Sequence, residues 1–553
     1  MKQLFKIVLP LIGRRKVLAY AFLGLFTGLS GFLFISMVNR VVALIIGGKL
    51  TVISKEYILI FLSIILICIW ARRSLSLMSV NLSQRIVWEL RKRILSLALD
   101  ANYQQFSGRK TRIQTAIRGD VNVLSNASLS VVDFLISVIM TVSCLVYLMY
   151  ISFILFLITL AVSLLGVIAY YLRSKSNMRD METARVLDNK FQIYFNAILL
   201  GFKEIFIMPS KGWYIYNRRI GVIANDAYRH NITAISTLIN NQMIGQILFY
   251  ILITSVLLVF SVTLKVKPDD IVSFSFTLIY LLGSLSSIMT LLPGLMQAKV
   301  ASNHLINLKN ELETGTYKYV MPKENPYRDI FTQITIRDLE FSYVGNDEAF
   351  HIGPVNFNIT RGEVIFIYGG NGSGKTTFVN AVIGLCFPSA GEIRLNDIVI
   401  TGDKYYCYRG LFSVVFSDFH LFTEIPTDDD IDMDKWNFYV QLFELENKIS
   451  LDGKVFSTTD LSTGQKKRLA LIVAILENRP ILVLDEWAAD QDPYFRKKFY
   501  TEIIPLLNRQ GITVIAITHD DKYYHCADKL YKVVEGKLYE ENVNLDHRIP
   551  SLP

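Results

Sequence analysis

The 553-residue chain has little cysteine: Cys68, Cys144, Cys386, Cys407 and Cys526 are odd in number, scattered, and form no Cys-x-x-Cys pair. They point to neither a disulfide framework nor a thiolate metal site. Charge is scarce too. Only 19% of residues are charged against 52% hydrophobic, and mean hydropathy is +0.36. A soluble enzyme of this length is not so apolar, so membrane spans are expected. No cleavable leader is evident either, because the first long apolar stretch follows Arg14, Arg15 and Lys16 and is long enough to span. It is expected to stay attached as a membrane helix.

The charges are unevenly divided. Residues 1–310 carry 32 Lys plus Arg against 12 Asp plus Glu, a charge of +20, and the remainder is −11. Basic residues flanking apolar runs mark cytoplasmic connections, so the high isoelectric point calls for no nucleic-acid partner. Residues 1–16 mix Leu, Phe and Ile with Lys and Arg, as an amphipathic entry helix on the membrane surface does. Six spans follow, at 17–38, at 57–71 extended through Arg72 and Arg73, in 131–172 divided near 149–152, at 244–262, and at 271–292 closed by Pro293. The connections after spans two and four are long, basic and helically patterned, and read as cytoplasmic extensions of the spanning helices. Both termini are then cytoplasmic. Gly24 and Gly28 form a G-x-x-x-G in the first span, a helix-packing signal. The expected divisions are a membrane domain at 1–311, a linker at 312–330, an α/β domain at 331–545 and a tail at 546–553.

Within the α/β part, residues 369–377 read Gly-Gly-Asn-Gly-Ser-Gly-Lys-Thr-Thr. Gly369, Gly374, Lys375 and Thr376 satisfy G-x-x-x-x-G-K-[ST], between a strand-like run at 364–368 and a helix-like run at 378–385. Glycines let consecutive amides approach a polyphosphate, and the helix N-terminus adds partial positive charge. Lys375 would reach the β and γ oxygens and Thr376 would hold Mg²⁺. Downstream, 461–465 read Leu-Ser-Thr-Gly-Gln, the apolar strand 481–484 ends in Asp485 and Glu486, and the apolar strand 514–518 ends in His519. Asp485 suits the Mg²⁺ shell. Glu486, a second carboxylate beside it, is placed to polarise the attacking water, and His519 to contact the γ-phosphate.

This order of motifs resembles an ATP-binding-cassette (ABC) domain, and six spans ahead of it resemble an exporter half-transporter. The resemblance covers nearly the whole chain. It implies an α-helical membrane domain followed by an α/β P-loop cassette, with ATP and Mg²⁺ bound at Asn371, Gly372, Ser373 and Thr377 besides the residues above. It further implies that Tyr343 stacks on adenine, that Ser462, Gly464 and Gln465 grip ATP held by a partner subunit, and that Asp492 belongs to the interface loop. Where the family carries a Gln that contacts Mg²⁺ and the membrane domain, this chain offers Ser417, with Asp418 beside it. The stretch from Phe416 to 461–465 is short, implying a trimmed helical subdomain. Residues 464–468, the run Leu-Asp-Glu-Trp-Ala-Ala-Asp-Gln-Asp-Pro at 484–493, Phe495-Arg496 and Phe499-Tyr500 resemble the cyclic-peptide and siderophore-precursor exporter subfamily.

The resemblance makes the chain a homodimeric, multi-pass inner-membrane ATPase that exports a cyclic or modified peptide, or a siderophore precursor. A heterodimer, a lipid flippase and a non-transporting ATP-binding regulator are the other readings. Short coupling helices are expected near 102–106 and 202–213, where Tyr103, Phe106 and Trp213 either meet the cassette or fill a helical core. Arg72, Arg73 and Asp133 are ionisable at membrane depth, facing a cargo cavity or snorkelling to headgroups.

Overall fold

The computed structural model describes residues 14–46, 55–260, 263, 268–313, 325–342 and 350–542. Tyr343, residues 1–13 of the expected entry helix, most of the linker and the tail lie outside them. The chain divides into two units, Met1–Leu97 with Thr111–Glu311, and Ala98–Lys110 with Leu312–Pro553.

The first unit is helical: α1 (Arg14–Ile46), α2 (Lys55–Asp100), α4 (Lys110–Thr115), α5 (Val121–Ile151), α6 (Phe153–Leu200), α7 (Phe202–Ile207), α8 (Pro209–Ile215), α9 (Gly221–Ser255) and α10 (Pro268–Glu313), with α3 (Tyr103–Ser107) grouping with the second unit. Five helical stretches among the described residues are long and apolar enough to cross a membrane, and the fourth expected span is the start of α6, apolar over Phe153–Gly166. The long connections are helical extensions of the spans, as their patterning required.

The division of 131–172 falls on Ser152, which is extended at φ −155°. Its amide still donates to the Leu148 carbonyl and its carbonyl accepts from the Phe156 amide, both at 3.0 Å, so the break strands no polar group. Pro293, expected to close the sixth span, does not end the helix. It lies inside α10, where Leu295, Ala298, Ala301, Leu305, Leu308 and Leu312 continue a buried stripe at helical spacing. Their burial offsets the roughly 3 kcal/mol that an interior proline costs.

An apolar cluster of Cys144, Leu148, Leu155, Phe249, Leu252, Phe274 and Leu278 ties α5, α6, α9 and α10 together. Hydrogen bonds between helices add specificity: Asn39 Nδ2 to Thr277 Oγ1 at 3.0 Å, Ser83 to Ser125 at 2.6 Å and Thr141 to Ser284 at 2.9 Å. Of the two G-x-x-x-G glycines only Gly28 packs closely, since a Cβ there would lie 2.6 Å from Ile139, whereas Gly24 faces open space. Tyr103, Phe106 and Trp213 are exposed and fill no helical core.

The second unit holds two main sheets. One is antiparallel, in the order β2 (His351–Thr360), β1 (Gln333–Ser342), β4 (Ala390–Leu395), β5 (Ile398–Val399). The other runs β12 (Lys537–Glu541), β11 (Lys529–Val534), β3 (Val364–Gly369), β10 (Thr513–Ile517), β9 (Ile481–Asp485), β6 (Phe412–Val415), all parallel except β12. A hairpin of β7 (Leu451–Asp452) and β8 (Val455–Phe456) stands apart.

Period-two alternation sends Val364, Phe366, Leu482, Leu484, Val514 and Ala516 into one apolar cluster, and Ile365, Ile367, Ile481, Val483, Ile515 and Ile517 into the other. Both faces are covered, which is why these strands read as unbroken apolar runs. The helix after the phosphate loop, α11 (Lys375–Val382), starts three residues before the expected 378 and ends at Val382 rather than 385. Gly374, at φ +102°, completes the loop and lets Lys375 enter the helix directly. Between 416 and 461 the one α-helix is α12 (Met433–Leu442).

Candidate functional site

Parallel register places the chemistry. Ile517 pairs with both Asp485 and Ile367, and Val415 with Leu484, so the carboxyl ends of β3, β6, β9 and β10 finish level with one another. The phosphate loop, Ser417, the Asp485-Glu486 pair and His519 therefore leave the sheet at one edge, the position where open α/β sheets bind ligands.

The loop is built for close backbone approach. A Cβ on Gly369 would stand 2.3 Å from the Val533 carbonyl oxygen, and one on Gly374 would stand 2.6 Å from the Phe350 ring. Lys375 is 6% exposed, and its ammonium donates to the Gly369 and Gly370 carbonyls at 3.1 Å. Ser373 Oγ is buried in the same loop without a hydrogen-bond partner. Asn371, Gly372, Gly374, Lys375, Thr376, Thr377, Phe350 and Glu486 line one cavity of about 390 Å³. A buried cation, an unpaired hydroxyl and a glycine cradle together suit the phosphates of a nucleotide.

The Thr376 hydroxyl donates to both Asp485 carboxylate oxygens at 3.3 Å, and the Ser417 hydroxyl donates to Asp485 Oδ2 at 3.0 Å. Two hydroxyls and one carboxylate make an all-oxygen set suited to Mg²⁺ that keeps water and phosphate oxygens as its other ligands. Among the described residues no cluster of three or more His, Cys, Asp or Glu forms a dedicated metal cage. Burial pushes the Asp485 carboxyl above the usual range, opposed by the Ser417 hydrogen bond and reinforced by the neighbouring Glu486 charge.

Glu486 takes a left-handed backbone at φ +49°, strain that persists only where the surroundings impose it. Its amide donates to the Ile517 carbonyl at 3.2 Å, and its carbonyl accepts from the Lys467 ammonium at 2.9 Å. The carboxylate meets His519 Nε2 at 3.2 Å and lines both the phosphate-loop cavity and a second one shared with His519 and Asp520.

Ser462 caps α13 (Thr463–Leu476) through a capping box: its hydroxyl accepts from the Gln465 amide at 3.3 Å, and Gln465 Oε1 accepts from the Ser462 amide at 3.1 Å. Gly464 is required by contact, since a Cβ would lie 2.9 Å from the Asp490 carbonyl oxygen. Ser462, Gly464 and Gln465 do not line the phosphate-loop cavity of their own chain, and neither does Asp492. Asp492 instead caps α14 (Pro493–Lys498), accepting from the Phe495 amide at 2.9 Å and from Arg468 at 2.8 Å. Those two interactions, the amide first, hold its carboxyl below the usual range.

The run that distinguishes this cassette is scaffolding beneath Glu486 and His519. Buried Lys467 also pairs with Asp490 at 2.7 Å, and the Trp487 indole donates to the Lys467 carbonyl at 2.8 Å. Arg468 lies 3.5 Å from the Phe495 ring centroid. Tyr500 hydrogen-bonds Thr518 at 2.5 Å and donates to Asp520 at 2.9 Å, and Arg496 reaches Asp520 at 3.3 Å. Phe350 and Lys467 were not assigned roles by sequence reasoning. An aromatic residue directly ahead of β2 was the available signal for the first. The second sits in the basic run 466–468, and no pattern in that run separates a buried lysine from solvated ones.

Residues 352–489 match the ABC transporter family. The chain is 29% identical over 532 residues to the ATP-binding protein SyrD of Pseudomonas syringae pv. syringae, covering 94% of this chain and 93% of that protein. It is 28% identical over 214 residues to the energy-coupling factor transporter ATP-binding protein EcfA1 of Streptococcus agalactiae, covering 37% of this chain and 77% of that one. In fold it is similar to a bacterial Atm1-family ABC exporter solved with ATP bound, with a TM-score of 0.78, 16% identity and 96% of each chain covered.

Proposed function

We propose, from the match of residues 352–489 to the ABC transporter family and the 29% identity to SyrD along 94% of the chain, that this is an ABC exporter with a multi-pass membrane domain fused to an ATPase cassette, which exports a cyclic or modified peptide, or a peptide siderophore precursor, across the inner membrane, driven by MgATP. Two copies act together, with both termini and both cassettes on the cytoplasmic side. The observation that carries the paired arrangement is the capping box at Ser462. It is fully formed and exposed, yet no part of it lines the cavity at Lys375. The ATP held at one phosphate loop then meets Ser462, Gly464 and Gln465 of a second copy, whose helix N-terminus favours the γ-phosphate charge. Alignment with SyrD along 94% of the chain supports a shared architecture through the membrane part as well.

In this reading Lys375 neutralises the β and γ oxygens, and Glu486 accepts the proton of the attacking water. His519 Nε2, at 3.2 Å from Glu486 Oε1, orients that carboxylate. Thr376, Ser417 and Asp485 would hold Mg²⁺, which would supply charge neutralisation on the phosphates when bound. ATP binding closes the cassettes and opens the outer side, and hydrolysis resets the cycle. The grouping of α3 with the cassette unit supports a coupling role for that short helix.

The test is ATP-dependent uptake of labelled peptide into inverted vesicles. Uptake by wild type and none by Glu486→Gln is expected. Hydrolysis stimulated by a lipid extract and not by any peptide would overturn the peptide reading in favour of a flippase. Uptake that survives Glu486→Gln would overturn the transport mechanism itself.

A further inference from the structure

The membrane unit contains a cavity of about 790 Å³ between α1, α2, α5 and α10, walled by one cationic and one anionic side chain, Arg72 and Asp133. Its volume falls in the upper range of small-molecule sites. Arg73 is not part of this wall, so the two adjacent arginines differ in placement. Neither Arg72 nor Asp133 forms an ion pair or a side-chain hydrogen bond among the described residues. Two spans that each carry one unpaired charge, of opposite sign, into a shared cavity hold them there for a ligand or a water-filled path.

The remaining wall has a chemical bias. Thr27, Ser79, Ser137, Ser287 and Thr290 each donate their hydroxyl hydrogen to the backbone carbonyl four residues earlier, at 2.7–3.0 Å, and Ser30 does the same three residues earlier at 3.0 Å. A hydroxyl whose proton is committed in this way still offers its oxygen lone pairs. The wall is therefore rich in acceptors, and its free donors are the Arg72 guanidinium and the hydroxyls of Ser76 and Ser286. The ligand that complements it brings N–H donors, one basic group for Asp133 and one carboxylate for Arg72. Acyl chains bring none of these.

We propose that this cavity is a cargo site selective for a zwitterionic, amide-rich compound, with Arg72 binding its carboxylate and Asp133 its ammonium or guanidinium. The proposal rests on the transport reading above and narrows its cargo class. Three cyclic hexapeptides test it: one carrying a Glu and a Lys side chain, its Glu methyl ester, and its Nε-acetyl-lysine analogue. Binding to the full-length protein in lipid nanodiscs is measured by quenching of a fluorophore on the peptide.

Wild type is expected to bind the zwitterion at least tenfold more tightly than either blocked peptide, as loss of a charged hydrogen bond implies. Arg72→Gln should abolish the preference over the ester alone, and Asp133→Asn the preference over the acetyl-lysine peptide alone. Arg72→Lys should restore part of the first preference, which separates recognition from misfolding. Equal binding of the three peptides by wild type, binding of none of them, or preferences unchanged in both variants would each overturn the proposal. MgATP hydrolysis by wild type without peptide, measured in the same nanodiscs, reports separately on whether the transport reading stands.

Discussion

Replacing Lys467 with Met should slow hydrolysis without weakening ATP binding. The stem of Lys467 is buried and Met fills nearly the same space, so the substitution mainly removes the ammonium. Two bonds are lost, one to Asp490 at 2.7 Å and one to the Glu486 carbonyl at 2.9 Å. Asp490 is 46% exposed and can turn to solvent, so that pair contributes little. The Glu486 carbonyl is left without its charged donor, a cost of about 1.5–3 kcal/mol. That is comparable to the roughly 1–3 kcal/mol stored in a left-handed glutamate, so the backbone is free to relax and carry its carboxylate away from His519. One to two decades in kcat correspond to about 1.4–2.8 kcal/mol, so kcat should fall about 10- to 100-fold. KM for ATP should change less than about threefold, because Lys467 does not line the phosphate-loop cavity. Phosphate release in lipid nanodiscs measures both. A kcat within twofold of wild type, from protein that is fully folded by thermal unfolding, would refute the idea that Lys467 holds the strained glutamate in place.

Glu486→Gln should lower kcat by about 10²- to 10⁴-fold while ATP binding is retained, checked by phosphate release and by filter binding of labelled nucleotide. Asp485→Asn should stabilise the nucleotide-free protein and abolish Mg²⁺-dependent turnover. Because burial raises the folded-state pKa of Asp485, the carboxyl favours the fold below its unfolded pKa, and that stability is lost as pH rises through the folded value. Thermal unfolding against pH should show this loss in wild type and not in the variant. The same raised pKa means that Mg²⁺ competes with a proton, so the Mg²⁺ concentration for half-maximal turnover should climb as pH falls, at a higher pH than an ordinary aspartate would give. Ser417→Ala should raise that concentration several-fold, as loss of one neutral oxygen of the set implies.

Much of this was legible in the chain because period and spacing carry the physics. The apolar runs at 364–368, 481–484 and 514–518 are strands buried on both faces, and the residues that end them converge because parallel strands in register must finish at one edge. A break near Ser152 could be anticipated from length alone, since one span cannot use a mostly apolar stretch of 42 residues. What escaped were features decided by packing at a distance in sequence. Pro293 looked like a stop, yet the buried stripe beyond it carries the helix on to Glu313. Gly24 and Gly28 look alike in sequence, and only the neighbour across from each, open space or Ile139, separates them. Lys467 is one of two adjacent lysines, and its burial depends on Trp487 and Asp490 some 20 residues away.

The central claim is that each ATP site is shared between two copies, and mixing two inactive variants tests it most directly. Glu486→Gln lacks the base of its own site, and Ser462→Arg spoils the capping box lent to the other. Each should be inactive alone. Co-reconstituted at equal amounts, about half the dimers are mixed and each has one intact site, so turnover should return to about a quarter of wild type. A mixture that remains as inactive as its parents, although the two chains co-purify, would contradict the account.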